Sequence, residues 1–392
     1  MARTPVETHA ARVRELLAPL RERGTETVGL PDALGRVLAE AARSPIALPP
    51  FRNSQMDGFA VRAADLPATL PIRGEVAASP GEPAALAPGS TVRIMTGAPV
   101  PVGADAIVPV EAAAMVGDAV RLPATAAGAY VREAGSDLAA GDVVVPGGIR
   151  LASRHLAALA AAGLTDVDVT TQPRIAIIST GSELAEPGAP LAFGQIPDAN
   201  GVALDAASRA SGATVVHRGR VADAPDRLAA ELDAALAAGA ELVLTSGGVS
   251  MGAHEVVRDL LEPLGAHVDV LAMQPGGPQA TASWRGVPVV CFPGNPVSSQ
   301  VSFELFVAPM LREVAGLPAA AASHAPLAAA LTSPPGKRQY LRGRRRDDGA
   351  VETVSGPGSH LVAGLAAAEL LLVVPEEVTA LAAGDMVEVR AL

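Results

Sequence analysis

The sequence predicts a multidomain protein of the α/β and β classes. We expect a doubly wound α/β domain, a β-rich insertion domain, a small helical domain and a C-terminal β-barrel-like domain. Three observations support this prediction. The chain of 392 residues exceeds what one ordinary core accommodates. Apolar strands alternate with amphipathic helices over residues 173–316, which indicates a mostly parallel sheet. Short β segments punctuated by proline and glycine follow residue 46 and residue 316.

The helical domain is predicted from segments that are far apart in the chain. Helical spacing of apolar residues predicts two helices within residues 5–40, in VETHAARVRELLAPLRE and in LPDALGRVLAEAA. The segment ASRHLAALAAAGL predicts another helix at residues 152–164, so the β region between them is an insertion. The predicted domains are 1–45 with 141–170 (a discontinuous helical linker domain), 46–140 (β-rich insertion), 171–316 (α/β) and 317–392 (C-terminal β).

Composition argues against several classes of protein. The formal net charge of −11 disfavours non-specific binding to nucleic acid. The single cysteine, Cys291, lies in the apolar run VPVVCF and is expected in a buried strand, and a chain that cannot form an internal disulfide favours a reducing compartment. The amino-terminal residues lack the apolar core of a signal peptide. The longest apolar stretch is interrupted by Glu369 and closed by Pro375, so it is too short to span a bilayer. We therefore expect a cytoplasmic protein that contacts no membrane and no nucleic acid.

Three strand ends of the α/β domain carry unusual turns: STGSELAE (179–186), TSGGVSMGAHE (245–255) and FPGNPVSS (292–299). Each combines glycine or asparagine with hydroxyl side chains and a helix start. Such turns expose backbone N–H groups to anions, and ligands of open α/β sheets bind beyond the carboxyl ends of the strands. Any one of them alone could be an ordinary strand-to-helix turn. Neither a P-loop nor a GxGxxG sequence occurs, which argues against the usual nucleotide sites.

Carboxylates occur at the same strand ends, at Glu183, Asp223 and Glu255. Beside anion-binding turns they favour a hard cation, and Mg²⁺ links carboxylates to phosphate oxygens in this way. The alternative for Asp223 is a helix N-cap, and for Glu255 a first-turn acid that favours the helix dipole. The histidine spacing gives zinc no support. The basic run KRQYLRGRRR (337–346) is either a solvated β edge or an anion patch.

Five segments together resemble one family across nearly the whole chain. LPPFRNSQMDGFAVRAADL, RIMTGAPVPVGADAIVPVE, STGSEL, TSGGVSMG and FPGNPVSSQVSFELFV are similar, in order, to segments of the MoeA family of molybdopterin molybdenumtransferases, to which the gephyrin E-domain is related. The resemblance implies an elongated homodimer whose α/β domain binds molybdopterin. It also implies a transferase of molybdenum cofactor biosynthesis, which inserts molybdate-derived molybdenum into adenylated molybdopterin with Mg²⁺-dependent release of AMP.

The resemblance assigns roles residue by residue. The β-rich domain of one subunit would complete the site on the other through Asp57, joined by Thr96 and Asp137. The implied catalytic residues are Asp57, Thr96, Asp137, Glu183, Asp223 and Glu255, of which Glu183, Asp223 and Glu255 would hold Mg²⁺. The expected substrate-binding residues are Gly181, Ser182, Ser246, Gly247, Gly248, Ser250, Pro293, Gly294, Asn295, Pro296, Ser298, Arg342 and Ser359.

The sequence also departs from the family pattern. Phe59 stands at a usual tyrosine position, and Glu255 replaces the usual aspartate. In MQPGGP (273–278), Gln274 and Gly277 occupy positions where many members have lysines associated with the oxyanion. Two alternatives therefore stay open: a scaffold that binds pterin or a partner without turnover, and a molybdopterin adenylyltransferase. Transfer complexes with that adenylyltransferase and with molybdoenzymes are further expected partners, and the choice between molybdate and tungstate is left open.

Overall fold

The chain folds as two units, residues 1–24 with 170–392 (unit one) and residues 25–169 (unit two). The computed structural model describes residues 3–249 and 255–392. The helices of these described residues are α1 (Val6–Leu16), α2 (Ser153–Ala161), α3 (Ala199–Ala210), α4 (Pro225–Ala237), α5 (Val256–Leu261), α6 (Pro296–Phe306), α7 (Ala308–Val314) and α8 (Val362–Ala366). None of them has the length and apolar character needed to cross a membrane.

A six-stranded mixed sheet forms the centre of unit one. Its order is Thr214–Val221, Arg174–Thr180, Leu242–Ser246, Val287–Phe292, Pro278–Trp284 and His267–Val270. The first four strands are parallel, and the last two pair antiparallel. Alternate residues of the Arg174–Thr180 strand enter two different cores, Ile175 and Ile177 on one face and Ala176 and Ile178 on the other. A sheet that buries both faces is doubly wound, as predicted.

The parallel strands end in register, which defines the edge used by the site. Ser179 is paired with Ser246, and Ser246 with Phe292. The predicted hairpin is confirmed. Arg285 and Gly286, with φ of 48° and 89°, form its two-residue turn, the left-handed geometry that such hairpins favour.

The single cysteine lies at the centre of this sheet. Cys291 is fully buried, paired with Thr245 on one side and Ala280 on the other. Burial raises the pKa of its thiol to about 12. The expectation of a buried strand cysteine is confirmed.

The amino-terminal helix packs against the α/β core. Val6, Val13 and Leu17 lie in the same apolar cluster as Ile175 and Phe303. A polar cluster fixes the helix as well, since Asp269 accepts from the Thr4 hydroxyl at 2.9 Å, contacts the His9 ring at 3.1 Å and pairs with Arg12. Residues 1–24 therefore belong to unit one, whereas the sequence grouped residues 1–45 together. The two units are a coarser division than the four domains, whose boundaries stay a prediction.

The prediction of a second amino-terminal helix is wrong. LPDALGRVLAEAA forms only a short 3₁₀ turn, Leu30–Ala33. Gly35 follows with φ of 76°, a left-handed conformation that ends helical geometry. Leu38 then pairs with Val169 in an isolated β-bridge and is 1% exposed. Burial in unit two overrides the helical spacing of the apolar residues.

Unit two is built mainly from β-strands, which confirms the β-rich insertion. Its six-stranded sheet has the order Ala106–Pro109, Gly58–Val61, Thr91–Ile94, Ala68–Val76, Ala119–Leu122 and Ala114–Val116. Two-stranded pairs join Thr25–Gly29 to Asp166–Thr170, Asn53–Ser54 to Val131–Arg132, and Ala42–Arg43 to Val143–Val145. The predicted helix α2 is present beside them, with Leu159 fully buried.

The C-terminal part is a β domain, as predicted. Its sheet runs in the order Met273–Gln274, Arg338–Arg345, Leu370–Val374, Met386–Ala391 and Ala322–Pro326, and Val351–Thr353 also pairs with Arg338–Arg345. The remaining pairs of unit one join Leu331–Thr332 to Ala380–Leu381 and Leu184–Ala185 to Ile196–Pro197. The strand Met273–Gln274 comes from the α/β segment, so the MQPGGP loop starts at the junction of the two sheets. The strand Arg338–Arg345 has neighbours on both sides and buries residues 339–343, so a solvated edge is the wrong interpretation of this basic run.

Candidate active site

A cleft of about 870 Å³ opens at the carboxyl ends of the parallel strands in unit one. All three predicted turns contribute to its wall, together with the MQPGGP loop and residues 357–360. The expected site residues that line it are Gly181, Glu183, Asp223, Ser246, Gly247, Gly248, Pro293, Gly294, Asn295, Pro296, Ser298 and Ser359. Residues from five separated segments therefore meet at one edge of the sheet, where α/β domains bind their ligands.

Glycine is required where two of the turns approach each other. Gly247 has φ of 97°, and a Cβ there would lie 2.7 Å from the Thr180 hydroxyl. A Cβ on Gly294 would lie 3.4 Å from the Cα of Gly247. The absence of side chains lets the backbones pack closely, and the Gly247 amide donates to the Phe292 carbonyl at 3.0 Å.

Ser182 and Asp223 hold each other by reciprocal hydrogen bonds. The Asp223 carboxylate accepts from the Ser182 amide at 3.0 Å and from its hydroxyl at 3.1 Å, and the Asp223 amide donates to the same hydroxyl at 3.1 Å. Asp223 is therefore fixed by the neighbouring turn, although it precedes helix α4. The carboxylate of Glu183 lies over Gly181, where a Cβ would be 2.7 Å from Oε2.

Asn200 is a cleft residue that the motifs did not reveal. It lies in the first turn of α3, after the N-cap Asp198, whose carboxylate accepts from the Gly201 amide at 2.9 Å. The buried Asn200 amide donates to the Ser246 hydroxyl at 2.6 Å and to the Gly294 carbonyl at 2.8 Å. Asn200 thus joins two of the predicted anion-binding turns, 245–255 and 292–299, to helix α3. The polar residues Asp198 and Asn200 at the start of an otherwise Ala-rich helix were the available signal.

The described donors of the cleft suit a hard cation. Mg²⁺ is bound through one or two carboxylates plus substrate phosphates, and Glu183 and Asp223 provide two carboxylates beside hydroxyl oxygens. Within residues 3–249 and 255–392 no group of three acidic, histidine or cysteine side chains forms a closed metal cage. Glu255 stands at the N-cap of α5 and is not among the lining residues, and Ser250 lies outside the described residues.

Two of the expected residues in unit two are joined directly. The Asp57 carboxylate is exposed and accepts from the amide and hydroxyl of Thr96. These bonds, the backbone one first, lower the pKa of Asp57. Asp57 lines a separate pocket of about 370 Å³ with Arg93 and Met115. Asp137 is also exposed, and its amide donates to the Leu48 carbonyl at 2.9 Å.

Arg342 lies behind the cleft and does not line it. It is 2% exposed, and its guanidinium donates to the Ser355 hydroxyl at 3.1 Å and to the Gly356 carbonyl. Burial lowers its pKa, although a guanidinium keeps its charge. Its bonds support the segment that leads to Ser359, and its expected role in binding the substrate stays a prediction.

The fold and the cleft define a multidomain α/β protein with a candidate ligand site at the end of a doubly wound sheet. Sequence families match in chain order: the MoeA N-terminal region (domain I and II) at residues 4–163, a probable molybdopterin binding domain at 176–313, and the MoeA C-terminal region (domain IV) at 324–392. The chain belongs to the MoeA family of molybdopterin molybdenumtransferases.

Known relatives extend over nearly its full length. The chain is 42% identical to molybdopterin molybdenumtransferase 2 of Mycobacterium tuberculosis, over 98% of each chain, and 32% identical to the molybdopterin molybdenumtransferase of Haemophilus influenzae, over 93% of each. Crystal structures of molybdopterin biosynthesis MoeA proteins from Pyrococcus horikoshii have the same fold. One has a TM-score of 0.83 at 32% identity and covers 100% of this chain and 99% of its own, and another has 0.77 at 26% identity and covers 100% of both.

Proposed function

We propose that this protein is a molybdopterin molybdenumtransferase of molybdenum cofactor biosynthesis. It takes adenylated molybdopterin and molybdate, places molybdenum on the pterin and releases AMP. The observation that carries the proposal is that the three predicted anion-binding turns and the carboxylates of Glu183 and Asp223 line one cleft. The names of the full-length relatives support the same reaction.

The residues of the cleft would act by positioning and electrostatics. The backbone N–H group of Gly248 and the remaining N–H groups at the N-terminus of α6 would receive phosphate oxygens. Glu183 and Asp223 would hold Mg²⁺, which when bound offsets the negative charge of the phosphates. Ser182 keeps the Asp223 carboxylate oriented through the reciprocal hydrogen bonds. The tie from Asn200 to Ser246 and Gly294 keeps the turns at fixed separation.

The site is proposed to be shared between two subunits of a homodimer. In this arrangement Asp57, Thr96 and Asp137 of one subunit would complete the cleft of the other. Support comes from the exposed, ionised Asp57 and from the exposed apolar side chains Met95 and Met115 beside it. Analytical ultracentrifugation tests this, because a fully active monomer would contradict the shared site.

The proposal includes a cytoplasmic location, supported by the buried, unpaired Cys291. In transfer complexes, a molybdopterin adenylyltransferase would deliver the substrate and acceptor molybdoenzymes would receive the product. A pull-down with each purified partner would test these contacts.

AMP release from purified protein, adenylated molybdopterin, molybdate and Mg²⁺ tests the reaction. We expect release that requires both molybdate and Mg²⁺. Glu183→Gln should abolish most of it, whereas the matched control Asp118→Asn, an exposed acid on a turn of unit two, should leave it unchanged. Pterin binding without AMP release would favour a scaffold. Formation of adenylated pterin from ATP and molybdopterin would favour an adenylyltransferase.

A further inference from the structure

The charge of the cleft is unusual for a site that receives oxyanions. Its described lining includes the acids Glu183, Asp198 and Asp223, but neither lysine nor arginine. His360 is the one basic side chain on this described wall. Backbone N–H groups and hydroxyls can bind an oxyanion, but the three nearby carboxylates repel it. A positive charge in the cleft would therefore strengthen oxyanion binding substantially.

The arginines of the neighbouring strand Arg338–Arg345 that lie inside the protein already bind other groups. Arg342 is buried and donates to Ser355 and Gly356, and Arg338 pairs with Glu7 and Glu376. The two family lysine positions hold Gln274 and Gly277, and the sequence contains one lysine only, Lys337. Gln274 lines the cleft without charge, and its side-chain oxygen accepts from the Gln339 amide at 3.1 Å.

His360 lies on a segment that is fixed from two sides. From behind, Arg342 holds residues 355 and 356. In front, the Ser359 carbonyl accepts from the Val297 amide at 3.1 Å, which ties the segment to the first turn of α6. The His360 ring lies over Gly358, where a Cβ would be 3.0 Å from its Cε1. The imidazole is exposed to solvent and faces the cleft beside Ser298 and Ser359.

We propose that His360 is the oxyanion-binding cation of this cleft and takes over the role of the lysines that the chain lacks. Its imidazolium would donate a ring N–H to a molybdate oxygen, next to the hydroxyls of Ser298 and Ser359. Arg342 would then act as a positioning residue as well, because its guanidinium holds residues 355 and 356, shortly before His360 in the chain. That the anion is molybdate rests on the proposed function. That an anion binds beside His360 rests on the geometry alone.

The proposal implies a dependence of anion binding on pH. Histidine is the side chain whose charge changes between pH 5 and 8, and a bound dianion favours its protonated form. The other ionisable groups of the described wall are the carboxylates of Glu183, Asp198 and Asp223. Molybdate affinity should therefore fall as the pH rises through the range in which histidine loses its proton.

Isothermal titration of the full-length protein with molybdate alone tests the inference. At about pH 6.5, His360→Gln should weaken binding by about tenfold, or ~1.4 kcal/mol. The wild-type affinity should fall by several-fold at about pH 8.5, whereas that of His360→Arg, which keeps its charge, should not. The matched control His324→Gln changes an exposed histidine on a strand of the C-terminal domain and should bind as the wild type does.

The same variants in the AMP assay separate this inference from the proposed function. Wild-type AMP release with an unchanged molybdate requirement in His360→Gln would overturn the role of His360 and leave the transferase in place. Molybdate binding that depends on His360, in a protein that releases no AMP, would overturn the transferase and leave the anion site. Equal affinities of wild type and His360→Gln at both pH values, in proteins with equal melting temperatures, would also overturn the inference.

Discussion

Asp57 and Thr96 are joined by two hydrogen bonds to a single oxygen. Oδ1 of Asp57 accepts from the Thr96 amide at 2.7 Å and from its hydroxyl at 2.8 Å. Both bonds favour the ionised carboxylate, so its pKa lies below the ordinary value. The side chain is exposed, and its charge is therefore available to a ligand or to a second subunit.

Asp57→Asn should lower the rate of AMP release by about tenfold or more. The amide oxygen of asparagine can still accept both bonds from Thr96, so the fold should keep its melting temperature while the charge is lost. The measurement is AMP release under single-turnover conditions, with thermal unfolding as the control. A variant that unfolds would identify Asp57 as a structural acid instead.

Ser182→Ala should raise the Mg²⁺ concentration needed for half-maximal AMP release by about threefold or more, because each of the two hydrogen bonds lost is worth about 0.5–1.5 kcal/mol. The hydroxyl both donates to Asp223 and accepts from its amide, so its removal frees the carboxylate to rotate. Ser79→Ala, at an exposed turn of unit two, is the matched control. An unchanged Mg²⁺ requirement would show that Asp223 does not hold the ion.

Asn200→Asp should reduce both stability and AMP release. A carboxylate cannot donate to the Ser246 hydroxyl acceptor or to the Gly294 carbonyl, and leaving such buried groups unpaired costs about 1–3 kcal/mol. Asn200→Ala should destabilise less, because it adds no buried charge. Chemical denaturation of the two variants checks the order, and the reverse order would show that Asn200 does not tie the turns together.

Gln274→Lys combined with Gly277→Lys should lower the molybdate requirement for AMP release. Gly277 does not have a left-handed backbone, and a Cβ there would meet the Leu271 carbonyl at 3.7 Å, an ordinary contact. The substitution is therefore free of backbone strain, and position 274 lies on the cleft wall. The molybdate dependence of wild type and double variant decides the matter. Coincident curves would mean that added positive charge at this loop does not reach the anion.

Acid should destabilise unit one through His9 and Asp269. Burial lowers the pKa of His9 despite the bond to Asp269, so the native state binds fewer protons than the unfolded chain. This contribution is present above the ordinary histidine value of about 6.5 and is lost as the pH falls below it. Burial alone would raise the pKa of Asp269, but hydrogen bonds from His9 and Thr4 and the charge of Arg12 lower it, so protonation of this carboxyl costs further stability at lower pH.

The melting temperature of the wild type should therefore fall between about pH 7.5 and 5.5, the range on either side of the histidine pKa. His9→Gln should show a smaller fall, because no buried imidazole must be charged. His267→Gln, at an exposed position of the His267–Val270 strand, serves as the control and should follow the wild type. Parallel curves for wild type and His9→Gln would exclude His9 as the group responsible.

Local patterns predicted the parts of the structure that local forces decide. The apolar strands of the α/β domain and the Arg285–Gly286 hairpin follow from burial and turn geometry. The helix expected in LPDALGRVLAEAA is absent because Leu38 pairs and packs with Val169, which is 131 positions further along the chain (169 − 38). Asn200 and Gly294 are 94 residues apart, and their contact leaves no periodic signal. Arg342 resembles the exposed arginines that follow it in sequence, and its burial reflects its pairing with Leu371 and the bonds from its guanidinium to Ser355 and Gly356.

The reactivity of Cys291 can report when the six-stranded sheet of unit one opens. It is the sole thiol of the sequence, it lies at the centre of the six-stranded sheet, and burial keeps it protonated. A maleimide or a disulfide reagent can react only when strands separate and water reaches the sulfur. The rate of thiol modification under native conditions therefore measures how often the sheet opens, and its slowing by a ligand would report binding at the cleft without any assay of turnover.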